Sequence, residues 1–507
     1  MSAVLSPVTN PSSPLSARRR WAALAALMIP VLLVSIDNTV LSFAVPSITR
    51  DLAPSGNELL WMIDIYPLVL AGLLVPMGSL GDRIGRRRLL LIGATGFAAV
   101  SALAAFAPNA GSLIAARFFL GFFGAMLMPA TLSLIRNIFT DDSERRIAIA
   151  IWASGFSGGA ALGPLVGGWL LEHFWWGSVF LLAVPVLIPL LLIGPILLPE
   201  SRDPNPGRVD LIGIALVSGA LVGVVFAIKS AASGDGFTVA MLAAAAGLAA
   251  GYGFVRRMLR SSNPMLDVRL FRNPIFSGAL AVNLVSVFAL VGFLYFFTQY
   301  LQLVAGHGPM DAAVLLIPGL VCTVTFGLAA VPLVRRIGPR RVIMLGLALN
   351  SVAYLVVAAL GHTGSQTALL TGFIMLCAGV GMAETISNDL ALSAVPPAKA
   401  GAASAVSETA YEVGAVLGTA VLGSLLNLAY RQGVEVPAGV SAEQAEHAQG
   451  TLGGAVQVAE GLPHELGQRL FDSATAAFDS GVTWTAAIGC LLSLLALVVA
   501  RRTLCHA

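Results

Sequence analysis

Charge is what this sequence has least of. Only 11% of its 507 residues are Asp, Glu, Lys or Arg, whereas 57% are hydrophobic. Soluble proteins carry about 25% charged residues, and a water-soluble core cannot hide this much apolar surface, so the bilayer is the expected solvent. Lysine is almost missing: Lys229 and Lys399 are the only two. No Gly-x-x-x-x-Gly-Lys-Ser/Thr phosphate loop is present, which excludes the nucleotide machinery of an ATP-driven pump. Cysteine is scarce, and Cys322, Cys377, Cys490 and Cys505 show no paired spacing, which argues against disulfides and against a metal site. The six histidines fall near loops or ends. An intramembrane enzyme would need a nucleophile with its base, or a His-rich metal motif, inside the apolar segments. Neither is visible, and no cofactor is expected.

What is there in abundance is the apolar stretch of roughly 20 residues, long enough to cross about 30 Å of hydrocarbon as a helix. Fourteen can be read, at 21–44, 58–80, 88–108, 112–137, 147–171, 176–198, 210–229, 237–257, 274–303, 311–334, 341–360, 367–391, 402–429 and 481–500. They are numbered helices 1 to 14 in that order. The first is too long for a signal-peptide core, contains Asp37 and lacks a small-x-small cleavage site, so it is read as a retained helix.

Arginine tests the count independently, because short cytoplasmic loops carry an excess of Lys and Arg. With the N-terminus inside, all of the 29 basic residues except Arg50, Arg117, Lys229, Arg431 and Arg469 fall on the cytoplasmic side. A missed or invented helix in the middle would have scrambled this alternation. Both termini are therefore expected in the cytoplasm, and the chain in the inner membrane. The net charge of +3 reflects orientation beside anionic lipid headgroups; it does not call for nucleic acid.

The segment Leu80-Gly81-Asp82-Arg83-Ile84-Gly85-Arg86-Arg87-Arg88 has an echo at Leu333-Val334-Arg335-Arg336-Ile337-Gly338-Pro339-Arg340-Arg341, 253 residues later. Each follows the second helix of a six-helix set, which suggests two homologous halves with helices 7 and 8 inserted between them. The expected organisation is a disordered cytoplasmic tail over 1–20, an N-terminal bundle over 21–200, the inserted pair over 201–260 and a C-terminal bundle over 261–507. The last contains a long extracytoplasmic loop, 431–480, with seven acids against Arg431 and Arg469. It reads as a solvated acidic loop carrying one or two short amphipathic helices, with a cation-attracting vestibule as the other reading.

The loop Gly78-Ser79-Leu80-Gly81-Asp82-Arg83-Ile84-Gly85-Arg86 resembles the signature of the major facilitator superfamily. Gly78 and Gly85 permit close helix contact, Asp82 can accept from a helix N-terminus or a basic side chain, and Arg83 and Arg86 complete the motif. The resemblance implies a conformational role for it. Gly159 through Gly168 on helix 5, with Gly163, Pro164 and Gly167, is similar to the antiporter signature of that superfamily; its glycines allow close approach, and Pro164 frees a backbone carbonyl. Ser35-Ile36-Asp37-Asn38-Thr39-Val40 on helix 1, Trp61-Met62-Ile63-Asp64-Ile65-Tyr66 on helix 2 and Glu408-Thr409-Ala410-Tyr411-Glu412 on helix 13 narrow the likeness to the fourteen-helix drug:H⁺ antiporters. The resemblance implies the major facilitator fold: an all-α polytopic protein of two six-helix bundles around a central cavity, plus two inserted helices, working as a monomer by rocking. It also implies export of multiple antibiotics and drugs. Where family members can carry a further acid just before Glu408, this chain has Ser407, so monovalent cations are expected to be served at least as well as divalent ones.

The acids speak without the family. A carboxylate deep in hydrocarbon costs on the order of 3 kcal/mol and is a functional hypothesis by default. Desolvation favours the protonated form of such a group, and an approaching organic cation favours the ionised one, so proton and cation compete for it. Aromatic neighbours suit a lipophilic cation. Asp64 with Trp61 and Tyr66, and Glu408 with Tyr411, are therefore expected to bind substrate, the alternative being acids that merely bond neighbouring helices. Asp37 and Glu412 are the expected proton-coupling acids. Arg117 on helix 4 is read either as their partner or as one half of a structural ion pair, and Glu384 on helix 12 as a secondary candidate. The cluster Phe293, Tyr295, Phe296 and Phe297 is lipid-facing or core, with part of it open to the cavity. The function expected is proton-coupled export of cationic lipophilic drugs, dyes and quaternary ammonium compounds. Export of a metabolite, siderophore or lipid on the same scaffold is the rival.

Overall fold

A computed structural model describes residues 16–202, 210–233, 237–261, 264–360, 365–395 and 400–504. The tail up to residue 15, Arg208, Lys399 and Cys505 lie outside the described residues. Among those described there is no strand, and 14 helices are long and apolar enough to cross a membrane.

Helices 1 to 6 span Ala17–Leu52, Gly56–Ile84, Arg86–Ala104, Ala110–Ile138, Asp142–His173 and Ser178–Leu197. Helices 7 and 8 span Leu211–Ser233 and Phe237–Arg260. Helix 9 covers Pro274–Gln299 and ends in a π turn, Tyr300–Val304. Helices 10, 11 and 12 are Pro309–Ile337, Pro339–Leu360 and Gln366–Ser393. Helix 13 runs over Ala400–Gly418, passes through a π turn at Thr419–Gly423 and continues over Ser424–Gly433. Helix 14 is His464–Thr503. Local chemistry sets several starts: Ser55 and Glu58 form a reciprocal capping box on helix 2, and Asn273 caps helix 9 ahead of Pro274.

Two expectations need correction. Residues 17–20 belong to helix 1 and not to a disordered tail, because Arg19 donates to the Ile196 carbonyl at 2.7 Å and Arg20 to Glu144 at 2.8 and 3.0 Å. The two short helices expected within 431–480 are present, Ala442–Gly450 and Leu452–Glu460, but the segment is not a solvated loop, and 464–480 extends helix 14. Leu452, Ala455, Val456 and Val458 are buried, and Tyr430 Oη donates to the Ala448 carbonyl at 2.8 Å.

The internal echo has a structural counterpart. Gly85 and Gly338, 253 positions apart, both take positive φ, 111° and 86°, a conformation that glycine adopts without a Cβ penalty. Arg87 bonds the carbonyls of Pro195 and Leu198 at 3.0 and 3.1 Å, and Arg340 bonds that of Arg501 at 3.0 Å. Each arginine thus ties the second loop of its half to the end of that half's last helix. One apolar core is built by helices 1 to 6, and another mainly by helices 9 to 14, joined by Phe43 of helix 1 and Leu60 of helix 2.

Helices 7 and 8 form a hairpin whose axes approach so closely that a Cβ on Gly223 would lie 2.8 Å from Gly247 Cα. At one end Arg257 donates to both oxygens of Asp210, at 2.7 and 2.9 Å, and holds that carboxyl below its usual range. Most of the hairpin faces outward, but the last turns of helix 7 do not: Val225, Lys229 and Ser230 are buried against helix 2.

The two halves are joined at the end of the bundle that carries residues 431–480. Gln302 donates to the Phe43 carbonyl at 3.3 Å and Asn427 to that of Gly56 at 3.3 Å. Gln457 donates to the Arg50 carbonyl at 3.2 Å, with Glu460 3.8 Å from the Arg50 guanidinium. A Cβ on Gly168 of helix 5 would lie 3.0 Å from Met310 and Ala313 of helix 10.

Candidate functional site

Asp37 is placed by the glycines of helix 5. A Cβ on Gly159 would lie 2.6 Å from Ser35 Cβ and 2.9 Å from the Leu32 carbonyl oxygen; one on Gly163 would meet Thr39, and one on Gly167 would lie 2.5 Å from Val40. Three glycines one turn apart thus seat the stretch of helix 1 that bears Asp37, and Ser35 Oγ locks it by donating to the Phe156 carbonyl at 2.6 Å. The carboxylate, 6% exposed, receives Arg117 Nη1 at 2.9 Å. Arg117 is also held by its Nε, which donates to the Met62 carbonyl at 3.1 Å, and by the face of Tyr66 at 4.5 Å. Sequence reasoning left the pairing of Arg117 open; the ion pair is formed. Tyr66, expected in the substrate site, is fully buried between Arg117 and Phe97.

From the other half, helix 13 brings Glu412 to helix 1. Asn38, next to Asp37, is the polar neighbour of the Glu412 carboxyl, whose Oε2 is buried with no hydrogen-bond partner. Glu408 lies one turn away on the same face, within the field of Arg136 at the far end of helix 4. Glu384 of helix 12 is close enough for its charge to act on Tyr411, and Glu384, Glu408 and Tyr411 are all partly exposed. Ser407 takes no part in an acidic cluster: it donates to Asn388 at 2.6 Å and receives Asn283 at 3.2 Å, joining helices 9, 12 and 13.

Asp64 stands apart from this group. Asp64 and Glu408 were both expected to bind substrate, but on helix 13 it is Thr419 that lies beside Asp64. Eleven residues at 1.5 Å each put Glu408 roughly 16 Å further along helix 13 toward the termini, so the two acids cannot hold one small cation between them. Asp64 already has a cation, since Lys229 Nζ lies 2.8 Å from its Oδ2 and 4.1 Å from the centre of the Trp61 ring. Both side chains are 1% exposed. Lys229 was not among the expected site residues, because helix 7 was read only as part of an inserted pair outside the two bundles. Its signal was there: it is the lone charged side chain in a run of 23 residues otherwise fit for lipid.

The superfamily-like loop is satisfied within its own half. Asp82 receives Arg86 Nη2 at 2.8 Å, Gly78 lies against Pro129, and Arg83 is exposed. Glu200, which the sequence reading missed, accepts from Arg87 N at 3.1 Å and occupies the space that a Cβ on Gly85 would need. Phe293, Phe296 and Phe297 are core, packed on Tyr354 and Phe373, and do not line the cavity. A cleft of about 340 Å³ opens between helices 2, 9 and 13 beneath Val217 and Phe254 of the inserted pair. Thr409, Ala410 and Val413 line it, on the face of helix 13 turned away from Glu408 and Glu412.

The model of the Major Facilitator Superfamily matches residues 27–419. The chain is 53% identical to the multidrug efflux pump LfrA of Mycolicibacterium smegmatis over 97% of each chain. It is 38% identical to the methyl viologen resistance protein SmvA of Salmonella typhimurium over 91% of this chain and 93% of that one. It is 32% identical to a tetracenomycin C resistance and export protein of Streptomyces glaucescens over 80% and 76%. In fold it is similar to a bacterial homologue of the lysosomal transporter Spinster, crystallised inward-facing and unoccupied. That likeness has a TM-score of 0.67 at 18% identity and covers 97% of this chain and 98% of the other.

Proposed function

The chain belongs to the major facilitator superfamily, and we propose that within it this protein is a proton-coupled antiporter that exports cationic lipophilic drugs, dyes and quaternary ammonium compounds across the inner membrane. One observation carries the reading: carboxylates from both halves are buried in the apolar interior, Asp37 on helix 1 and Glu412 on helix 13, with Asn38 beside Asp37 as the polar neighbour of the Glu412 carboxyl and Glu408 one turn further along helix 13. In an apolar medium such groups exchange protons for organic cations, because each ligand favours the charge state that excludes the other. Asp37 and Glu412 carry the proton in this scheme, Arg117 competes with the proton for Asp37, and Glu408 with Tyr411 reads the positive charge of the substrate. The multidrug and methyl viologen resistance names of the relatives point to the same class of cargo.

The excess of arginine at the end bearing the termini supports a cytoplasmic placement for that end. The bonds between Gln302 and Phe43, and between Asn427 and Gly56, then close the outer side. In this state Glu408 and Glu384, both partly exposed, are the acids a cytoplasmic cation meets first. Rocking of the halves would turn them outward.

The test is flux from proteoliposomes with an imposed pH gradient. Ethidium movement against its gradient, with matched proton movement, supports the antiport; ethidium movement indifferent to the proton gradient sinks it. Glu408→Gln should weaken binding of monovalent cationic dyes about ten- to a hundredfold, since a charge-assisted contact in a partly desolvated site contributes on the order of 1 to 3 kcal/mol. Neutral lipophilic ligands should lose much less. Dye-binding titration of charge-matched ligands decides it, and equal losses would remove Glu408 from substrate recognition.

A further inference from the structure

Lys229 is the one charged side chain on helix 7, and it is buried. Its ammonium is buried within the apolar layer, on Asp64 at 2.8 Å and on the face of Trp61 at 4.1 Å, with Phe226 packed against the same ring at 6.4 Å. Carboxylate, indole face and apolar wall together are what a lipophilic monocation would ask of a protein. A buried ion pair is weak evidence for stability, because apolar side chains of similar volume do as well; the pair is therefore better explained by what it can exchange. Its position suits that purpose. Leu68 and Ile65 of helix 2, Val225 and Ile228 of helix 7, and Val416 and Ala420 of helix 13 form one cluster around it, so it sits where the N-terminal half, the C-terminal half and the inserted hairpin meet. The π turn that begins at Thr419 lies against Asp64.

We propose that Lys229 is a tethered stand-in for substrate: its ammonium occupies, on Asp64 and Trp61, the place that the positive charge of a lipophilic monocation takes during transport, and the cation must displace it. The hairpin is on this view a competitor that keeps Asp64 neutralised whenever cargo is absent and prevents cargo from binding there too tightly to leave. The inference rests on the reading of the protein as a cation exporter.

Two measurements on the purified full chain in detergent test it, with tetraphenylphosphonium as the ligand. Lys229→Met keeps the length of the side chain and removes the competing charge, so binding should tighten about tenfold if the free site is open roughly one time in ten. Adding Asp64→Asn to it should remove the gain, and Lys229→Arg should bind as wild type does. The second measurement leaves the pair intact. With Lys399→Arg, Lys229 is the one remaining lysine, and its modification by a membrane-permeant amine reagent, read by peptide mass spectrometry, should rise severalfold when tetraphenylphosphonium is added. Unchanged affinity in Lys229→Met together with unchanged labelling overturns the proposal and leaves Lys229 a staple between helices 7 and 2. If wild type binds no tetraphenylphosphonium at all, the reading as a cation exporter fails and takes this one with it. Binding without displacement defeats the stand-in alone.

Discussion

Asp37→Asn will lose export against a gradient in proteoliposomes, by on the order of a hundredfold or more, the usual cost of removing a positioned proton-transfer group, while the binding of a cationic dye changes little. The reasoning starts from the neighbours of Asp37. Its carboxylate is held by Arg117 at 2.9 Å, and Arg117 has two further anchors, the Met62 carbonyl and the Tyr66 ring. Asparagine can still accept from the guanidinium, so the local geometry has a reason to persist; what disappears is the group that takes up and gives off a proton. The partly exposed acids Glu408 and Glu384 are untouched, which is why binding should survive. Removing one partner of a buried pair costs about 3 to 5 kcal/mol when the other is left uncompensated, so the variant must be shown to be folded, for which dye binding serves. Arg117→Ala provides the contrast. It leaves a carboxylate that still titrates but without its competitor, and it should displace the pH profile of transport instead of abolishing transport. Uphill export by folded Asp37→Asn at the wild-type rate would move the proton site to another acid, Glu412 first.

The legible part of the molecule was the part written in periodicity. Fourteen apolar runs and the repeat of Gly85 at Gly338 needed no tertiary information, because the bilayer imposes length and backbone satisfaction on each segment separately. The glycine run of helix 5 announced a close contact, though not that its partner was the stretch of helix 1 around Asp37. What stayed hidden was pairing across sequence. Glu200 reads as an ordinary acid at the end of a helix, and only the fold puts it 3.1 Å from Arg87 N. Lys229 was hidden more deeply, since its meaning depends on helix 7 lying against helix 2. Asp64 and Glu408 resemble each other in composition of surroundings, acid beside aromatic, yet the pitch of helix 13 separates them, and no local pattern reports depth. The solvated-loop reading of 431–480 failed for a related reason: Glu443, Glu446, Glu460, Glu465 and Asp472 are exposed, while Leu452, Ala455, Leu470 and Ala474 of the same helices are buried, and composition averages the two together.

The contact between helices 1 and 5 gives the second large effect. Gly159 and Gly158 are neighbours on helix 5, and in a free helix an alanine at either position would be worth about the same. Their surroundings differ completely. A Cβ on Gly158 meets nothing within 4 Å, whereas one on Gly159 lies 2.9 Å from the Leu32 carbonyl oxygen and 2.6 Å from Ser35 Cβ. The first obstacle is backbone and cannot rotate away, so helix 1 must retreat. Overpacking of this kind costs typically about 1 to 3 kcal/mol. The retreat also strains the bond from Ser35 Oγ to the Phe156 carbonyl and shifts Asp37, two residues on, relative to an arginine held by two other anchors, the Met62 carbonyl and the Tyr66 ring. Gly159→Ala should therefore slow proton-driven ethidium export about tenfold or more, in line with the penalty for misplacing reacting groups by a fraction of an ångström to one ångström, and Gly159→Leu should abolish it. Gly158→Ala should export as wild type does. Thermal unfolding of the three variants in detergent, measured beside flux, separates misplacement from collapse, since Gly159→Ala is expected to remain folded and to bind dye. If Gly158→Ala and Gly159→Ala export equally, the seating of helix 1 on helix 5 does not position Asp37 for turnover, and the glycines serve packing alone.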